Sequence, residues 1–169
     1  MKTNSRMRAL ISGNLLDPVA SSLPDEIQDI CERGWEIGPG DSVVLRALWG
    51  PGWRTAISPE EVGAYEYEVN DVSIPLADLR TDMAEYLPRA AGRGIHFARL
   101  MLKKSDELML PNELVATVGV SVDVDDEDFL LQGVVVRFFT ERGDFPRWFD
   151  DLEKFQSEAI AVLRSGEGS

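Results

Sequence analysis

His96 is the only imidazole in the chain and Cys31 the only thiol. Any Ser–His–acid or Cys–His machinery must therefore pass through these two residues. The Gly-flanked Ser12 and Ser42 lack the G-x-S-x-G frame of a nucleophile elbow. Cys31 sits at an apolar helical position, where a thiol behaves as a small, inert hydrophobe. The sequence thus assigns no catalytic residue. A structural zinc site takes about four Cys or His ligands, which two residues cannot supply. Asp123, Asp125, Glu127 and Asp128 crowd oxygen ligands together, as calcium prefers. Counted from Asp123, though, the sixth and twelfth positions of a calcium loop hold Asp128 and Val134 instead of Gly and Glu. The cluster reads as a charged turn, and neither a metal nor a cofactor is expected.

Two other groupings carry more chemistry. Arg89, Arg93, His96 and Arg99 recur every three or four residues, followed by Lys103 and Lys104. On a helix they make a basic stripe, a candidate site for an anion or other ligand. The same stripe can instead neutralise the chain's own acids, such as Asp78, Asp82 and Glu85, which share a helical face. The second grouping is Trp49-Gly50-Pro51-Gly52-Trp53-Arg54. Flat rings give contact area at low entropic cost, so Trp49, Trp53 and Arg54 are the candidate partner-binding residues.

The chain as a whole narrows these choices. Its 169 residues favour a single domain with a sizeable core. Thirty acids against 17 Lys and Arg give a net charge of −13. Such a field repels phosphate backbones, so nucleic acid is not an expected partner. No apolar run approaches the ~20 residues of a membrane span, and none near Met1 makes a signal-peptide core. A cytoplasmic location is expected.

The positioning elements follow from periodicity. Ser22-Leu23-Pro24-Asp25 opens a helix capped by Ser22, striped by Ile27, Ile30 and Cys31 and stopped at Gly34. Val43 to Leu48 reads as a buried strand, and the alternating Tyr65-Glu66-Tyr67-Glu68-Val69 as a half-exposed one. A helix is expected over 76–86. Over 95–110 the spacing of Ile95, Ala98 and Leu102 suits a helix, while Gly92, Gly94 and the apolar run 100–102 also suit a strand, and the helix is preferred. Leu114 to Val124 alternates β-branched with small or polar residues, and Phe129 to Phe139 returns. A long central hairpin over about 114–139 is therefore expected. Trp148, Phe149, Leu152, Phe155, Ile160 and Leu163 suit a C-terminal helix over about 146–164. Residues 1–8 and 165–169 read as flexible tails. The fold class is α+β, a mostly antiparallel sheet packed by helices.

From these residues the expected function is non-catalytic binding of another protein, basic in character, in the manner of an inhibitor, immunity protein or adaptor. The alternative is a small-molecule-binding or enzymatic domain built on His96 with nearby Arg and Asp residues. A third is a homo-oligomer-building subunit, suggested by the two-faced apolar strand at 129–139.

Overall fold

The computed structural model describes residues 1–13, 21–50, 53–80, 83–122, 133–143 and 145–166. The acidic 123–128 cluster and Asp82 lie outside them. Five antiparallel strands form the main sheet: β1 (Lys2–Thr3), β4 (Asp71–Ile74), β5 (Leu114–Ser121), β6 (Val134–Thr140) and β7 (Glu158–Arg164). Their spatial order is β1-β7-β5-β6-β4. Two further strands, β2 (Trp35–Ile37) and β3 (Val43–Leu45), pair as a separate hairpin. Within the described residues the named helices are α1 (Ser5–Ile11), α2 (Asp25–Arg33), α3 (Val62–Val69) and α4 (Met83–Ser105). The class is α+β.

One face of the sheet is covered by α4, a 23-residue helix. Side chains alternate across a strand, so Ala116, Val118 and Val120 of β5 share this face with Val134, Val136 and Phe138 of β6. Helix α4 meets them with small residues. A Cβ on Gly94 would lie 2.7 Å from Val134 and 2.8 Å from Val118, so only glycine permits this approach. The helix continues through Pro88, at the cost of one backbone hydrogen bond. Trp35 ties β2 to the same core by donating from Nε1 to the Met101 carbonyl, at 2.9 Å.

The opposite face carries Val115, Phe139, Ile160 and Val162, covered by Tyr67, Phe145, Trp148, Leu152 and Phe155. Here the expected C-terminal helix is corrected. Residues Arg147–Asp150 and Leu152–Lys154 form 3-10 turns, and 158–164 form strand β7. Aromatic residues at helical spacing are laid over the sheet by short turns, and Ile160 to Leu163 is apolar because β7 is buried on both faces. Periodicity cannot separate such a strand from a buried helix.

Four further expectations change. Residues 65–69 lie in α3, not a strand, because Tyr65, Glu66 and Tyr67 find partners on different sides of one helix. The 76–86 helix reduces to a turn at Ala77–Leu79 before α4 begins at Met83. Residues 1–8 are no loose tail, since Asn4 and Met7 are buried. The Asn4 carboxamide accepts from the Met7 and Ile160 amides, at 2.9 and 3.0 Å, and donates to the Glu158 carbonyl at 2.8 Å. One side chain thereby caps α1 and extends the β1–β7 ladder. Helix α2 is entered from Pro24, with no side-chain cap from Ser22, and is stopped by Gly34 at φ +64°.

Candidate functional site

Helix α4 divides the basic stripe. Arg93 is buried, its two terminal nitrogens on the two carboxylate oxygens of Asp78 at 2.7 and 2.6 Å, with the Pro75 carbonyl at 3.0 Å. That guanidinium holds the Asp78 carboxyl below the usual carboxylate range. Arg89 pairs with Glu85, one turn back on the same helix. Both arginines are thus structural ties, and the expected four-residue site does not assemble.

His96 and Arg99 remain, and with Lys103 they border a cleft of about 600 Å³ at the C-terminal half of α4. Its opposite wall is the end of β7, where Leu163, Arg164 and Ser165 meet the apolar side of Leu100 and Leu102. The helix places His96, Arg99 and Lys103 within two turns of one another along one border. Burial, and then the positive charge of Arg99, holds the His96 imidazole below its ordinary pKa. The ring is therefore neutral at pH 7, able to donate from one nitrogen and accept at the other. Arg164 is held by Glu113 and Glu141, each at 3.4 Å, and Arg99 and Lys103 are the cleft's exposed side-chain cations, with Met1 also in its lining. Asp106 supplies one carboxylate at the rim. Cations with an apolar wall can hold a carboxylate, sulfonate or phosphate and shelter the organic group attached to it.

The Trp loop behaves differently from the expectation drawn for it. Trp49 folds back onto Val44, Tyr65 and Val69, donating from Nε1 to the Tyr65 hydroxyl at 3.0 Å. Trp53 stands edge-on to Tyr65 and keeps 38% of its surface exposed. Arg54 reaches Glu61 at 3.3 Å. Of the two rings of this loop, Trp53 offers the open surface. Cys31 is buried, and burial pushes its thiol up, as suits an inert packing residue.

Lys103 already stood in the basic stripe and Leu163 in the expected C-terminal helix, whereas Asp106 and Ser165 were not singled out by the sequence. Asp106 lies in the 3-10 extension of α4, but the β7 wall depends on a strand read as a helix. Among the described residues, no group of three or more His, Cys, Asp or Glu could hold a metal ion, and no helix is long and apolar enough to cross a membrane. Compared with protein-family models, curated proteins and solved structures, the chain matches none.

Proposed function

We propose that the protein is a ligand-binding domain whose cleft between α4 and the end of β7 takes an organic molecule with an anionic head group. The observation that carries this reading is the meeting of Arg99, Lys103 and His96 with Leu100, Leu102 and Leu163 around about 600 Å³, within the usual size range of small-molecule sites. The head group lies against Arg99 and Lys103, His96 offers a hydrogen bond, and the apolar body covers the leucines. The test is calorimetric titration with decanoate and with decyltrimethylammonium, its cationic counterpart in chain length. Decanoate should bind and the ammonium should not, and Arg99→Ala with Lys103→Ala should weaken decanoate by about tenfold or more, the worth of one charge-assisted contact. Equal binding of the two probes, or none of either, would reject the reading.

A second reading keeps the protein-partner expectation, and the open ring of Trp53 favours it. A basic partner would be drawn by the net charge of −13 and anchored on that ring. The oligomer expectation rests on the apolar run 129–139, of which 129–132 lie outside the described residues; in the rest, Val134, Val136 and Phe138 pack toward α4 and Phe139 toward the 145–155 turns.

A further inference from the structure

The cleft does not end at Asp106. A second hollow of about 330 Å³ begins there, sharing Asp106 and Ser165 with the first and lined beyond them by Leu110, Pro111, Asn112 and Glu113. The two adjoin at Asp106 and Ser165 near the end of α4, and the charge of their lining changes sign from the first to the second. Arg99 and Lys103 line the first hollow, Asp106 stands at the junction, and Asn112 and Glu113 line the second. Glu113 is partly neutralised by Arg164 at 3.4 Å, whereas Asp106 is exposed at the junction of the two hollows.

We propose that the ligand is a short zwitterionic peptide, its terminal carboxylate on Arg99 and Lys103 and its α-ammonium on Asp106. This rests on the anionic-head-group reading above and specifies the rest of the molecule. Two observations support it. A plain anion seated at Arg99 and Lys103 suffers repulsion from Asp106 a turn away, which an ammonium group converts into attraction. A net-neutral ligand also approaches a chain of charge −13 without the long-range repulsion that an anion meets. Spacing sets the length. Asp106 lies three residues past Lys103 and seven past Arg99, roughly 5–10 Å at the helical rise. Opposite charges in a di- or tripeptide are about that far apart, at ~3.3 Å per extended residue. The apolar middle of the peptide then faces Leu100, Leu102 and Leu163, and the second hollow admits the first side chain beside Leu110 and Pro111.

The experiment titrates the whole chain with Ala-Leu-Ala, its N-acetylated form, its C-terminal amide and decanoate, then repeats the series on Asp106→Asn. Asp106 is exposed, so the variant should fold as the parent does. The free peptide should bind, and capping either end should weaken it by about tenfold, the scale of one lost charge contact. In Asp106→Asn, N-acetylation should no longer matter. Binding of decanoate without the peptide, or equal affinity for free and acetylated peptide, would overturn the zwitterion and leave the anionic-head-group reading standing. No binding of peptide or decanoate would overturn both.

Discussion

Two buried polar residues, Glu66 and Asn70, tie β3 to β6 by standing in for backbone. Glu66 is fully buried, its carboxylate accepting from the Val43 amide at 2.8 Å and from the Thr140 amide and hydroxyl at 2.6 Å each. Asn70, one turn later, accepts from the Leu45 amide at 2.8 Å and donates to the Val43 and Phe138 carbonyls at 2.8 and 3.2 Å. Strand β4 pairs with β6 only as far as Arg137, so these side chains of α3 continue the ladder to Thr140 and join it to β3. Glu66→Gln turns an amide N–H₂ against a backbone N–H and should cost about 1–3 kcal/mol in denaturant unfolding. Burial outweighs these donors and raises the Glu66 pKa. A raised carboxyl contributes stability that is present at acid pH and lost as pH rises through the raised value. The stability gap between the parent and Glu66→Gln should therefore narrow from acid to neutral pH, and a constant gap would refute that origin. At the cleft the proton linkage runs through His96, with Arg99 one turn along the helix and Lys103, Asp106 and Arg164 farther along the same cleft lining. Its pKa is depressed in the free protein and a bound anion favours imidazolium, so decanoate affinity should rise as pH falls below the ordinary His value. His96→Gln should flatten that dependence. Trp49→Ala should lower the melting temperature, whereas Trp53→Ala should leave it almost unchanged.

At the scale of elements, α4 both backs the sheet and borders the cleft, and the sequence displayed it unevenly. The apolar positions of 95–102 and the cationic repeat made the helix and its stripe visible. That Arg93 turns inward to Asp78 was not, because pairing across the fold, not spacing along the chain, decides which arginine is buried. The alternation in 114–121 was plain since β5 is long and regular. Strand β7 stayed hidden because burial on both faces erases a two-residue period. Glu66 and Asn70, polar residues four apart among Tyr65 and Val69, were the only sequence trace of the α3 staple. The tightest helix–sheet approach supplies the prediction at this scale. Gly94→Ala forces a Cβ to within 2.7 Å of Val134, and should destabilise by about 1–3 kcal/mol despite alanine's better helix propensity. A neutral or stabilising result would show that α4 can lift from the sheet at little cost.

For the whole molecule, charge and site stand in opposition. A chain of net charge −13 concentrates two outward-facing cations at one end of its longest helix, beside three leucines. On the proposed reading the net charge repels polyanions, while Arg99 and Lys103 attract a small carboxylate that reaches the cleft. Salt screens the long-range repulsion more than the contact, so decanoate affinity should change less with ionic strength than an exposed ion pair would. Backbone amide shifts mapped by NMR during a decanoate titration test the account most directly. The prediction is a contiguous set of perturbed amides over 96–106 and 163–166, saturating with a single affinity. Perturbation centred on 49–54 and Tyr65, or no saturable change anywhere, would contradict it.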